Sequence, residues 1–174
     1  LHLFLRYRNT CQLTKGMVFA KTFRYKENIY KLTEYILTMK VLLIVPPNSQ
    51  EERYGKFSSI GTLYPPLGLA YIAAIAEKEA EVKIVDSEAM NYSYEDVRKI
   101  IEEFQPDIVG MQVYFTTINR CYKVAEIIKK LNKNIKIVLG GAQVTLDNSL
   151  VKNSNIDFGI YGEGEISFRN LITA

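Results

Sequence analysis

Ile135-Lys136-Ile137-Val138-Leu139-Gly140-Gly141-Ala142-Gln143-Val144-Thr145 is the stretch on which the reading of the whole chain turns. Its first half is short, apolar and rich in β-branched side chains, which is the composition of a buried strand. The strand pattern then stops at two adjacent glycines. A glycine pair at a strand end leaves bare backbone, which suits either a plain strand-to-helix turn or a slot for a flat or elongated ligand. In open parallel α/β sheets, ligands lie beyond the carboxyl ends of the strands, so the surrounding fold decides between the two. As a strand end, position 141 is expected to tolerate a bulky side chain without loss of fold.

Outward from this stretch, strand and helix patterns alternate. A first strand, Lys40–Val45, is closed by Pro46-Pro47, which cannot continue a ladder. The polar stretch from Asn48 to Tyr64 is long for a strand–helix connection, and such loops are usually functional. Pro65-Pro66 opens a helix whose small apolar face is Leu69, Ala70, Ala73, Ala74 and Ala76, implying close packing on the sheet. A second strand, Val82–Val85, ends at Asp86, read as a loop-capping acid. Ser93 caps the next helix, with Asp96 completing a near capping box and Val97, Ile100, Ile101 and Phe104 turned inward. Gln105-Pro106 ends it.

The third strand, Asp107–Val113, is apolar on both faces and therefore central. Thr116 or Thr117 is expected to cap a helix that buries Ile118, Cys121, Tyr122, Ala125 and Ile128. After the opening stretch come a short helix around Leu146–Lys152 and a fifth strand, Ile156–Tyr161. Gly162-Glu163-Gly164-Glu165 then leads into a last helical start containing Ile166, Phe168, Leu171 and Ile172. Right-handed crossovers between such units give the α/β class: a flavodoxin-like, doubly wound, five-stranded parallel sheet of order 2-1-3-4-5.

The 174 residues, 48% hydrophobic and 24% charged, suffice for one domain with a core of its own. Charge is unevenly placed. Residues 1–38 hold seven Lys/Arg against two acids, whereas the remainder holds 15 basic and 17 acidic residues, so the body is not a basic nucleic-acid binder. Met39-Lys40-Val41-Leu42 reads as a natural beginning. Residues 1–38 are therefore read as a dispensable extension, and residues 39–174 as the domain. The alternative is a basic amphipathic helix around Lys26–Leu37 that docks on a partner or a membrane surface. No stretch approaches the roughly 18 consecutive apolar residues of a membrane span. Cys11 and Cys121 imply no disulfide framework, which suits a cytoplasmic protein.

Several functions are excluded. There is no Gly-x-Gly-x-x-Gly after the first strand and no phosphate loop. A phospho-acceptor domain of this fold needs an Asp ending the third strand and an acidic pair after the first, where this chain has Met111–Tyr114 and Pro46-Pro47. The one histidine, His2, lies in the extension, so there is no Ser/His or Cys/His pair and no zinc set. Cys121 falls on an apolar helix face and reads as core. Glu163 and Glu165 read as solvated or dipole-capping acids.

Five segments then occur in order: Met39–Pro47, Tyr64–Ala74, Pro106–Met111, Leu139–Thr145 and Gly162–Phe168. Together, over about residues 39–172, they resemble the N-terminal cobalamin (B12)-binding domain of the B12-dependent radical SAM enzymes. The resemblance implies a corrinoid across the carboxyl ends of the strands, its nucleotide tail running beside the glycines of the fourth. Its candidate cofactor-binding residues are Pro47, Asn48, Tyr114, Phe115, Thr116, Thr117, Gly140, Gly141, Gln143, Thr145, Gly162, Glu163 and Gly164. No residue is assigned to catalysis or to the metal. Mutase-type cobalamin domains carry Asp-x-His-x-x-Gly after the first strand. This chain has Asn48-Ser49-Gln50 there, so no histidine is placed as the cobalt ligand. Gln143 stands where the family often has His, and it hydrogen-bonds without titrating.

The Cys-x3-Cys-x2-Cys set of a radical SAM domain is absent from the chain, so an iron–sulfur cluster and S-adenosylmethionine would belong to a partner domain, in cis or in trans. On this reading the chain is either a fragment of such an enzyme or a free-standing domain supporting methyl transfer or radical chemistry. The alternatives are a flavodoxin-like domain that binds FMN or another nucleotide-like ligand, and a non-catalytic interaction module.

Overall fold

The computed structural model describes residues 39–48, 55–56 and 63–174. The readings of residues 1–38, and of most of the loop after the first strand, lie outside these residues. Five strands, β1 (Lys40–Val45), β2 (Glu81–Asp86), β3 (Ile108–Gln112), β4 (Lys136–Gly140) and β5 (Phe158–Gly159), form one all-parallel sheet in the order β2-β1-β3-β4-β5. This is the flavodoxin-like arrangement expected from the alternation, with β3 at the centre.

The helices are α1 (Leu67–Ala76), α2 (Tyr94–Phe104), α3 (Ile118–Leu131), α4 (Ala142–Leu146) and α5 (Glu165–Thr173). They make two layers. Leu42, Ile44, Val109, Met111, Ile137 and Leu139 point to the face covered by α2 and α3, where Val97, Ile101, Cys121, Val124, Ala125 and Ile128 meet them. Val41, Leu43, Ile108 and Val138 point to the other face, under Leu69, Ala73 and Ala76 of α1 and Phe168 and Ile172 of α5. The period of two along each strand divides the side chains between the layers.

Local chemistry sets the element ends. Ser93 Oγ accepts the N–H of Asp96 at 3.2 Å, and the Ser93 N–H donates to Asp96 Oδ2 at 2.9 Å, a complete capping box for α2. Gln105, at φ 51°, ends that helix before Pro106. Asp86 Oδ1 accepts the N–H of Ala89 at 3.0 Å, the loop-capping role read for it. No helix among the described residues is long and apolar enough to cross a membrane.

Four expectations need correction. Thr117 does not cap α3 through its side chain. Its hydroxyl accepts the Tyr114 N–H at 2.9 Å and so closes the short 3-10 turn Phe115–Thr117 before the helix. Ala70 and Ala74 face outward, because α1 rests on Leu69, Ala73 and Ala76, with Ile72 partly buried beside them. The helix expected around Leu146–Lys152 is α4 followed by a 3-10 turn, Asn148–Lys152, begun by Asp147 accepting the Ser149 N–H. β5 keeps only two residues in the ladder. It is an edge strand, and past Ile160 the chain turns away at Gly162, whose φ is 68°.

Candidate functional site

The register of the central strands opens a trench on one face. Leu43, Gly110 and Val138 stand in one row across β1, β3 and β4, and Gln112 pairs with Gly140 in the row beyond. By the alternation of each strand, all of these point to the α1–α5 side. Two positions that should carry side chains are therefore bare, at the centre of the sheet and at the carboxyl end of β4. A Cβ on Gly110 would lie 2.7 Å from Leu43 Cδ2, so Leu43 fills the space that a side chain there would take and shares the floor with the bare backbone. A Cβ on Gly140 would meet only Ile160, at 3.9 Å, and would project into open space.

α1 and α5 wall the trench into a cavity of about 480 Å³. Its floor is Leu43, Gly110, Val138 and Ile160; its walls are Gly68, Leu69 and Ile72 on one side and Phe168 on the other. Its mouth is made of Gly140, Gly141, Ala142, Thr145 and Leu146 after β4 and of Gly162–Glu165 after β5. The walls are close at the rim, where a Cβ on Gly164 would sit 3.0 Å from Ile72 Cδ1. At the far end Arg169 Nη2 meets Glu79 Oε1 at 3.1 Å, tying α5 to the turn after α1. Both side chains are well exposed, so that pair aligns the helices more than it stabilises them.

Thr145 joins the two halves of the mouth. Its hydroxyl oxygen accepts the Gly162 N–H at 2.9 Å and donates to the Gly141 carbonyl at 3.4 Å. Gly141 has φ 97°, and a Cβ there would lie 3.0 Å from Gln112 Cγ and 3.2 Å from the Val113 carbonyl oxygen. The expectation that this position tolerates a large side chain is therefore wrong. The second glycine of the pair is demanded by the backbone path, and the first by the open slot.

Of the residues singled out in the sequence, Gly140, Gly141, Thr145, Gly162, Glu163 and Gly164 come together at this mouth. Pro47, Asn48, Tyr114, Phe115, Thr116, Thr117 and Gln143 do not line the cavity. Tyr114 and Phe115 stand on the surface beyond β3, 52% and 78% exposed. They belong to a wider group of exposed apolar side chains at the carboxyl ends of the strands and the first turns of α1 and α5: Tyr64, Leu67, Tyr161 and Ile166 among them. Among the described residues, Asn48 Oδ1 is buried beyond β1 without a hydrogen-bond partner, and so is Ser87 Oγ beyond β2. Gln143 is half-buried on α4.

Gln112, Gly110, Gly68 and Glu165 line the cavity but were not among the sequence candidates. Alternation along β3 carries the signal for the first two, since Ile108, Gly110 and Gln112 share a face. The Gln112 amide lies over Gly68, where a Cβ would be 2.7 Å from Nε2. Cys121 takes no part. It is buried in the other layer, and that burial pushes its thiol up to about 12. No group of three His, Cys, Asp or Glu able to hold a metal ion occurs among the described residues.

The sequence profile of the B12 binding domain family matches residues 57–172. An uncharacterized methyltransferase of Pyrococcus horikoshii is 39% identical over 138 residues, covering 78% of this chain and 29% of that protein. A cobalamin-dependent radical SAM methyltransferase of Streptomyces tokunonensis is 33% identical over 70 residues, 39% of this chain and 10% of that one. The chain thus spans less than a third of the length of these relatives. A cobalamin-binding protein of Desulfitobacterium hafniense shares the fold, with TM-score 0.53 and 14% identity over 78% of this chain and 56% of its own.

Proposed function

We propose that this chain, which belongs to the B12 binding domain family, is the corrinoid-holding module of a larger cytoplasmic enzyme. The observation that carries this reading is the trench that passes Gly110 and opens at Gly140, which runs to a glycine-rich mouth inside the region matching that family. A whole corrinoid exceeds the 480 Å³ cavity, so the trench suits an elongated tail, while the macrocycle would rest outside on the apolar rim that includes Tyr114 and Phe115. Gln112 would offer the tail a side-chain amide, and Gly140 would let it lie against the strand. Thr145 would act indirectly, by holding the two glycine loops at a fixed separation.

When bound, the corrinoid supplies a cobalt centre that can carry a methyl group or take part in radical chemistry. This chain's own residues bind it, orient it and cover its tail. The only histidine of the sequence is His2, so none is proposed beneath the cobalt. A radical SAM domain in cis or in trans would hold the iron–sulfur cluster and S-adenosylmethionine. The Streptomyces relative, a cobalamin-dependent radical SAM methyltransferase, supports that assignment. Among the described residues, the cavity lining offers no Lys or Arg to a terminal phosphate dianion, which favours this reading over FMN.

Titration with hydroxocobalamin, followed by visible absorbance, tests the proposal. Saturable one-to-one binding is expected, with no change between pH 5 and 8 of the kind that histidine release from cobalt produces. Absence of binding by the folded protein overturns it.

A further inference from the structure

We infer that the groove selects among corrinoids by the base that ends the nucleotide tail. Gln112 and the apolar floor beside it accept a base with one free ring nitrogen, such as a benzimidazole, and disfavour a purine. This inference rests on the corrinoid reading above and names the part of the ligand that the cavity reads.

The floor offers hydrocarbon only. Leu43 on β1, Val138 on β4 and Ile160 just past β5 line it, and Leu69 and Phe168 close over them from α1 and α5. All five are buried. The backbone groups of β1, β3 and β4 beneath them are spent in the parallel ladders on either side. A polar atom that enters this floor gives up water and finds no partner in exchange.

One polar side chain stands inside the mouth. Gln112 follows Gly110 on the same face of β3 and is half-buried. No hydrogen bond engages its side chain among the described residues. Shape holds it instead. A Cβ on Gly68 would lie 2.7 Å from its Nε2 and 2.8 Å from its Oε1, and a Cβ on Gly141 would lie 3.0 Å from its Cγ. Two glycines, one on α1 and one after β4, thus make room for one glutamine. They confine the arm from both sides and leave its amide unspent. The other polar side chains of the lining, Thr145, Glu163 and Glu165, stand at the mouth, away from the floor.

A base lodged against this floor has one ring nitrogen bonded to its ribose. A benzimidazole then keeps a single acceptor, its other ring nitrogen, and its remaining edges are C–H or methyl. One amide N–H satisfies that acceptor. Adenine keeps three ring nitrogens and an exocyclic amine. A glutamine amide pairs with two adjacent groups of adenine at most. The others lose water and stay unpaired, and an unpaired buried polar group costs more than a made hydrogen bond gains. Discrimination by exclusion is thus the stronger effect. The anionic phosphodiester of the tail stays at the open mouth and keeps its water, so the base alone decides the choice.

The test titrates the full-length protein with hydroxocobalamin, with the adenine-tailed cobamide and with tail-less cobinamide, all in the hydroxo form, followed by visible absorbance. Wild type is expected to bind hydroxocobalamin at least about tenfold more tightly than either of the others, which is about 1.4 kcal/mol. Gln112→Leu, with circular dichroism melting as the control, should weaken hydroxocobalamin several-fold and leave cobinamide unchanged. A general loss of structure would weaken both. Equal or tighter binding of the adenine-tailed cobamide by wild type overturns the inference alone, as does cobinamide binding as tightly as hydroxocobalamin. Both comparisons use wild type, so they decide even where Gln112→Leu does not fold. Unchanged hydroxocobalamin affinity in a folded Gln112→Leu overturns the part given to Gln112. No binding of hydroxocobalamin by wild type overturns the corrinoid reading, and this inference with it.

Discussion

The hydroxyl of Thr145 accepts a hydrogen bond from the backbone N–H of Gly162 at 2.9 Å, across a sequence separation of 17 residues. The bond joins the loop after the fourth strand to the loop after the fifth, and these loops form most of the cavity's mouth. Thr145→Val keeps the shape and removes both hydrogen-bonding functions. A modest loss of stability, about 1 kcal/mol, is expected in thermal melting. Corrinoid affinity should fall several-fold, and Thr145→Ser should restore it. Wild-type affinity in Thr145→Val would show that the two loops keep their spacing without this bond.

Gly140 and Gly141 should separate in their effects. Gly141→Leu forces a branched side chain into a φ of 97° beside the Val113 backbone, so it should unfold early, by at least about 1–3 kcal/mol. Gly140→Leu has room for its Cβ and fills the slot, so its melting curve should stay close to wild type while hydroxocobalamin binding weakens at least about tenfold. Glu103→Ala, on the opposite layer, serves as the control. Parallel loss of fold in both glycine variants would refute the distinction.

Asp157 anchors the start of the edge strand. Its Oδ2 accepts from Lys129 Nζ at 2.6 Å and from the Ile137 N–H at 2.8 Å, and Lys136 stands at 3.5 Å from Oδ1. Partial burial works against the charged form. The hydrogen bonds from Lys129 and Ile137, helped by the Lys129 and Lys136 charges, outweigh it and hold the carboxyl below its usual range. A depressed folded-state pKa gives stability that is present above the unfolded value near 3.9 and lost as pH falls through the folded value. Asp157→Asn should therefore cost about 1 kcal/mol at neutral pH, with the gap to wild type narrowing below about pH 4. Denaturant melts across pH 2–7 check this, and a constant gap would contradict it.

Cys121 should be chemically silent in the native state. It is wholly buried, and desolvation holds its thiol near 12, far from the thiolate that reacts. In a Cys11→Ser background, Ellman's reagent should label nothing in native buffer and about one thiol per chain in denaturant. Rapid native labelling would place Cys121 at the surface.

Much of the architecture was legible one strand at a time. Residues 108–113 are apolar on both faces but for Gln112, as a central parallel strand requires, 135–139 form a short β-branched run that marks a buried strand, and Ser93 with Asp96 announced the start of its helix. The edge was less legible. Residues 156–161 read as a full strand, yet only Phe158 and Gly159 stay in the ladder, because a single neighbour and the turn at Gly162 cut it short. Thr117 shows the same limit at a helix start: the sequence offers a hydroxyl to the helix, and the turn at Tyr114 claims it first.

The mouth of the candidate site was equally local. Gly140-Gly141 and Gly162-Glu163-Gly164 end strands, and a strand end is visible from composition and turn chemistry alone. The floor was not. Gly110 reaches the cavity floor only because the register of β3 sets it between Leu43 and Val138, and Gln112 reaches the cavity only because the same alternation turns it that way. Nor does any local pattern distinguish the two glycines of the pair, one with open space before it and the other with the Val113 backbone 3.2 Å from its missing Cβ. The sequence by itself determined the order of elements, the faces of the inner strands and the chemistry at their ends. Tertiary structure alone decided which bare positions align into a groove, because alignment depends on register between strands distant along the chain, and a period of two along one strand says nothing about its neighbour.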